Sequence, residues 1–308
     1  MIVALAGGVG GARMAAALAG CLPAGAMTVI VNTGDDFEHL GLAISPDIDS
    51  VLYTMAGIND PVRGWGQADE TWAFMDAVRR LGGEDWFALG DRDLATHVLR
   101  TQRLLTEPLS AVTAAMAARL GIAHAILPMS DDPVRSIVQT DEGDLAFQDY
   151  FVRRQAAPRF LGIRFAGAES ARPAPGVAEA IAAARLIVIC PSNPWLSIAP
   201  IRAVAGIEAA LAGAVAAGTR VVAVSPFIGG QAVKGPAAKI LRELGHEPTP
   251  RAVADCYAGL ITDLVIDHAD AALPRPQIPV HVTATLMRDR AASDALGRLV
   301  LGLAADAR

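Results

Sequence analysis

Residues 2–22, IVALAGGVGGARMAAALAGCL, decide the reading of the fold. The opening IVALA is short, wholly apolar and ended by glycine, the pattern of a strand buried on both faces. The closing Ala- and Leu-rich run favours a helix. Between them Gly7, Gly8, Gly10 and Gly11 make a turn whose backbone N–H groups, backed by a helix N-terminus, can cradle a phosphate. No GK[ST] follows, so the turn is not a Walker A loop. Nor does it complete a dinucleotide fingerprint, because counting G-x-G from Gly8 puts the third glycine at position 13, which is Arg13. The competing reading is a tight turn with no ligand.

The next stretch, TVIVNTGDDFEHLGLAISPDIDSVLYT (28–54), pairs a second buried strand with two acidic clusters, Asp35/Asp36 and Asp47/Asp49, in turn-forming sequence. In an open parallel α/β sheet ligands bind beyond the carboxyl ends of the strands, so these carboxylates point into a crevice. Crowded carboxylates repel unless a cation or hydrogen bonds neutralise them, and an all-oxygen set suits Mg2+. Asp35 and Asp47 can equally serve as turn and helix-cap residues.

The same alternation continues outward. Residues 50–125 read as a helical insertion, with WGQADETWAFMDAVRRLGG and DRDLATHVLRTQRLL as its clearest helices. Arg92, at the start of the second, is better placed to meet an anion than His97 further along. Strands are expected at 122–127, 186–190, 220–226, 264–267 and 281–287, and a closing helix at 291–304. Residues 147–155 suit an edge strand or a short helix, and ARPAPG (171–176) a surface turn or linker. Ser192 and Asn193 precede Pro194 in a helix-start pattern, and a second glycine turn, SPFIGGQAVKG, follows the strand at 220. Strands separated by helices imply a Rossmann-like, doubly wound, mostly parallel sheet in one α/β domain over residues 1–308.

The chain has 308 residues, 53% hydrophobic and 19% charged, enough for a sizeable core and unlike a disordered segment. Its net charge of -6 weighs against nucleic acid or an anionic membrane as partner. Cys21, Cys190 and Cys256 have no paired spacing, which points away from zinc and disulfides and toward a reducing cytoplasm. No signal peptide and no uninterrupted apolar span of membrane length is seen.

The motifs AGGVGGAR, NTGDD, SPDIDSVLYT, GDRDLATH, PMSDDPVRS, PSNPWLSI and SPFIGGQAVKGPAAK occur in this order across about residues 1–240. Together they resemble the 2-phospho-L-lactate transferase (CofD-like) family of coenzyme F-420 biosynthesis, in its bacterial branch. The resemblance implies a Rossmann-like dimer that uses Mg2+ and a guanosine diphosphate-linked donor. It implies transfer of a phospholactyl, phosphoenolpyruvyl or phosphoglyceryl group to the ribityl hydroxyl of 7,8-didemethyl-8-hydroxy-5-deazariboflavin (Fo), with release of GMP. By motif position, Gly7, Gly8, Gly10, Gly11, Ser192, Asn193, Ser225, Gly229 and Gly230 would hold the guanosine diphosphate. Asp35 and Asp47 would bind the metal, and Asp49 and Arg92 would lie toward the deazaflavin, with Asp49 as proton acceptor.

Two other readings compete. A nicotinamide-dependent oxidoreductase would explain the first strand and turn but not Arg13 or the acids. A nucleotide-binding module without turnover would explain the turns alone.

Overall fold

A computed structural model describes residues 1–304 of the chain. Its centre is a seven-stranded sheet in which every pairing is parallel. In chain order the strands are β1 (Ile2–Ala6), β2 (Met27–Val31), β3 (Ala125–Pro128), β4 (Leu186–Ile189), β5 (Arg220–Val224), β6 (Asp263–Asp267) and β7 (Val280–Thr283). In space they run 7-6-5-4-1-2-3. Six of them follow the doubly wound dinucleotide-fold order, and β7 extends one edge. The order reverses between β1 and β4, where Ile2 lies opposite both Met27 and Leu186.

The sequence builds both faces by alternation along β1. Val3 and Leu5 pack toward the helices Val177–Ala182 and Ile207–Ala216, while Ile2, Ala4 and Ala6 pack toward α1 (Gly8–Gly20), α2 (Pro46–Ala56) and the C-terminal helix Arg290–Gly302. All five residues of β1 are fully buried, so apolar side chains are needed at every position. Helix α2 has Pro46 in its first turn, Asp47 and Asp49 beside it, and a left-handed Gly57 as C-cap. These are the start and stop signals that a helix macrodipole favours.

Three further helices, α3 (Ala73–Arg80), α4 (Asp91–Leu104) and α5 (Leu109–Arg119), lie between β2 and β3 with a small hairpin, Phe37–His39 and Leu42–Ile44. After β3 comes an antiparallel three-stranded sheet, Gly143–Ala146, Arg135–Thr140 and Phe160–Ala166, which the sequence reading did not anticipate. Residues 147–155, open between strand and helix, form a single wide helical turn over Asp149–Arg153, closed by the bond from Arg154 N–H to Asp149 O at 2.9 Å. The ARPAPG stretch is docked rather than superficial: Ala171 and Ala174 are buried, and Ala174 N–H donates to Met129 O. The strand expected at 281–287 ends at Thr283, because the chain from Thr285 to Met287 turns over the top of the sheet. Among the described residues no single helix is long and apolar enough to cross a membrane.

Candidate active site

A cavity of about 680 Å³ opens above the carboxyl ends of β1, β4 and β5. It lies at the point where strand order reverses, the expected ligand position for an open doubly wound sheet. Gly7, Gly8 and Gly10 line it from β1, Ser192 and Asn193 from β4, and Ser225 from β5.

Close packing explains the first turn. Gly8 has φ +65°, a left-handed conformation that disfavours a side chain, and a Cβ on Gly10 would sit 2.2 Å from Pro191 O. The β1 and β4 loops therefore meet backbone to backbone. Gly7 offers α1 no side-chain cap, so the first-turn N–H groups of Val9 and Gly10 face a cavity with no side chain answering them. Gly11 does not line the cavity; it lets α1 pass Ser192 Oγ and Ala6 at close range. On β4, Asn193 Oδ1 accepts from Trp195 and Leu196 N–H at 3.0 and 3.1 Å, while its buried Nδ2 has no partner among the described residues.

Asn32, which the sequence reading passed over, organises the acidic side. Its Oδ1 accepts from Gly34 N–H at 2.8 Å, and its Nδ2 donates to Asp47 Oδ2 at 2.9 Å. Asp47 Oδ1 accepts from Gly8 N–H at 2.7 Å, which ties the acidic loop to the glycine turn. Asp35 lines the same cavity, and its buried Oδ1 has no partner among the described residues. Burial, then the nearby Asp47 charge, pushes Asp35 well above the usual carboxylate range. Burial likewise pushes Asp47 up to about 6, against the hydrogen bonds from Asn32 and Gly8. Asp36, buried and bonded by Ser45 Oγ at 2.8 Å, is pushed up to about 7. Two carboxylates that repel across a cavity, one with an orphaned oxygen, match what a hard divalent cation needs.

The aromatic part of the lining comes from segments far apart in sequence. Trp65, Trp86, Phe87, Phe147 and Phe151 make it up. Phe147 and Phe151 stack at 5.4 Å, and the Trp86 and Phe87 rings meet edge-on at 5.8 Å. Arg63 is ion-paired to Asp60 at 2.8 Å and held by the Trp65 and Trp72 rings. Lys234 reaches across and donates to Arg63 O at 3.1 Å.

The C-terminal part closes the third side. Asp267, at the end of β6, accepts from Thr285 N–H at 2.8 Å and from its hydroxyl at 3.1 Å, which brings Thr285, Leu286 and Met287 over the cavity. Asp270 takes Gly230 N–H at 2.8 Å. Gly229 and Gly230, expected to cradle the nucleotide, therefore lie outside the lining, with the Gly230 amide already committed. Ile228, Val233 and Lys234 of the same hairpin line the cavity in their place.

The two residues expected toward the acceptor also lie outside the lining in this conformation. Asp49 is buried in α2 and paired to the Arg100 guanidinium of α4, with His97 Nδ1 at 3.7 Å. Asp93 completes the group, 3.3 Å from His97 Nε2 and bonded by Tyr53 OH. Ligand atoms of Asp49, Asp93 and His97 all lie within 4.8 Å of one another, but Arg100 already supplies the positive charge, so the cluster reads as a buried brace between α2 and α4. Arg92 is more than half exposed, bonds Ala68 O at 3.1 Å and lies 3.9 Å from Asp69. Asp49 reaches the cavity only through the helix that carries Asp47.

Fold and cavity together define a doubly wound α/β protein with a ligand crevice at its switch point. The strand order alone would also suit a nicotinamide enzyme; sequence comparison separates the two. Residues 2–290 match the model of the 2-phospho-L-lactate transferase CofD family, and the chain belongs to that family. It is 46% identical over its whole length to "Phosphoenolpyruvate transferase" of Kitasatospora aureofaciens, covering 98% of that protein. It is 40% identical to "2-phospho-L-lactate transferase" of Methanopyrus kandleri, over 89% of this chain and 88% of the other. Among solved structures, a UPF0052-family protein from Bacillus halodurans superposes with a TM-score of 0.63 at 15% identity, covering 97% of this chain and 98% of that one. At that identity the likeness bears on the fold alone. Membership of a transferase family sets aside both the oxidoreductase and the non-catalytic readings.

Proposed function

We propose that the chain transfers a phosphoenolpyruvyl group from a guanosine diphosphate conjugate to the ribityl hydroxyl of Fo, releasing GMP, in coenzyme F-420 biosynthesis. The observation that carries this reading is a single cavity uniting a glycine turn whose Val9 and Gly10 N–H groups have no side-chain partner, two carboxylates with no cation paired to them, and a set of aromatic rings. The choice among the three acids is supported by the relatives named phosphoenolpyruvate transferase, 41% to 46% identical over 98% or more of the chain.

The Val9 and Gly10 N–H groups of the glycine turn offer the diphosphate donors already in place, so little reorganisation is needed as charge shifts onto the leaving phosphate. Asp35 and Asp47 would hold Mg2+, which when bound supplies charge neutralisation for the diphosphate. Trp86, Phe147 and Phe151 offer flat apolar surface to the deazaflavin ring and hold its side chain for attack. The acceptor oxygen bonds to the phosphorus bearing the three-carbon acid, the bond from that phosphorus to the GMP oxygen breaks, and the hydroxyl proton leaves to water. With Asp49 committed to Arg100, proton removal is assigned to solvent; the proton turns acidic only as the new bond forms.

Purified protein, Fo, MgCl2 and each of the three guanosine diphosphate-linked acids provide the test. The expected result is a product with the mass of Fo plus the phosphoenolpyruvyl group and an equal amount of GMP. Turnover with another acid alone would overturn the choice of donor, and turnover with none would overturn the reading.

A further inference from the structure

Three cationic side chains line the cavity: Arg13, Arg63 and Lys234. Arg63 is neutralised by Asp60 and also donates to Gln67 O at 3.0 Å, and Lys234 donates to Arg63 O at 3.1 Å. Arg13 differs. It is half-buried on α1, and among the described residues no carboxylate, carbonyl or hydroxyl accepts from it. Its nitrogens are open to solvent, so the guanidinium stands at the cavity with five N–H donors free for a ligand.

Its position narrows the ligand. Val9 and Gly10 line the cavity from the first turn of α1, and Arg13 stands three and four residues further on, the spacing that puts a side chain on the same helix face. The uncapped N–H groups and the guanidinium thus address one volume. Asn193 lines the cavity from the β4 side. Free main-chain N–H groups and a free guanidinium on one helix face suit an anion with several oxygens. Asp47, which takes the Gly8 N–H, and Asp35 form no ion pair with Arg13 among the described residues.

Resting on the transfer reading above, we propose that Arg13 is the side chain that grips the donor's diphosphate, forking onto its oxygens while the α1 amides hold it from the main chain. The residue that breaks the dinucleotide motif at its third glycine is then the one that replaces that motif's function. Planar, bidentate recognition of phosphate oxygens is what a guanidinium does and an ammonium does less well.

Calorimetric titration of the full-length protein with GDP and with guanosine, both with MgCl2, tests the assignment in wild type, Arg13→Gln and Arg13→Lys. Loss of a charged bond to phosphate predicts GDP binding weakened by roughly 10- to 100-fold in Arg13→Gln, an intermediate loss in Arg13→Lys, and unchanged guanosine binding in both. GDP affinity equal to wild type in either folded variant overturns the role of Arg13. Equal loss for GDP and guanosine also overturns it, since that would mark a structural effect. A wild-type protein that binds neither GDP nor guanosine fails earlier, and overturns the donor reading itself.

Discussion

The acidic side of the cavity makes stability without metal depend on pH in an unusual direction. Asp47 is pushed from 3.8 up to about 6 and Asp36 up to about 7, burial being the larger cause in both. At about 1.4 kcal/mol per pKa unit, keeping them ionised at pH 8 costs the folded chain about 3 and about 4 kcal/mol against the unfolded one. The two share neighbours, so the sum is smaller than simple addition. A carboxyl raised in the folded state stabilises fully below its unfolded pKa, and that contribution is lost as pH rises to the folded value. Without metal, unfolding free energy should therefore fall by about 3 kcal/mol or more between pH 5 and pH 8. Asp35 and Asp270, also raised, act in the same sense. His39, lowered chiefly by burial, acts against it below about pH 6.5. Asp93, Asp263 and Asp267, lowered by their partners, stay ionised over this window and contribute no slope. Urea denaturation at pH 5 and pH 8, with chelator and with millimolar MgCl2, measures the effect. The expected result is a lower midpoint at pH 8 with chelator, restored by MgCl2, and a smaller pH slope in Asp35→Asn. A chelated protein equally stable or more stable at pH 8, indifferent to MgCl2, would refute the reasoning.

Other consequences follow from particular contacts. Gly10→Ala places a methyl against Pro191 O; the two loops must separate, and a loss of about 1–3 kcal/mol by urea denaturation is expected, with weakened GDP binding. Arg100→Ala leaves Asp49 buried and unpaired and should cost about 3–5 kcal/mol, whereas Arg92→Ala, on the exposed start of α4, should change stability by less than about 0.5 kcal/mol; comparable losses would remove the brace. Phe151→Ala should raise KM for Fo several-fold and leave KM for the donor near wild type; the opposite pattern would place the nucleobase, not the deazaflavin, on the aromatic rings.

Much of the fold was legible because the buried strands are short apolar runs ended by glycine or a polar turn, and parallel pairing then follows from the intervening helices. The same punctuation marked the site: Gly7, Gly8, Gly10, Asp35, Ser192, Asn193 and Ser225 follow strands of the main sheet, Asp47 opens α2, and all line one cavity. What escaped is non-local. Trp65, Trp86, Phe147 and Phe151 have no shared period and meet only through folding. Asn32 looks like a loop residue until its amide is seen between Gly34 and Asp47. Gly229 and Gly230 carry the same local signal as the first turn, but Asp270, forty residues on from Gly230, takes the Gly230 amide. Asp49, two residues from Asp47, faces Arg100 because successive helix positions point some 100° apart. The antiparallel sheet escaped because Arg135–Thr140 buries Ser136, Val138 and Thr140 and turns Ile137 to the other face, so hydrophobicity does not alternate as burial does.

A crystal structure of the protein with GDP and MgCl2 tests the central claim most directly. The account predicts the diphosphate at the Val9 and Gly10 amides and a cation held by Asp35 and Asp47. Diphosphate bound elsewhere, or a cation seated instead among Asp49, Asp93 and His97, would contradict it.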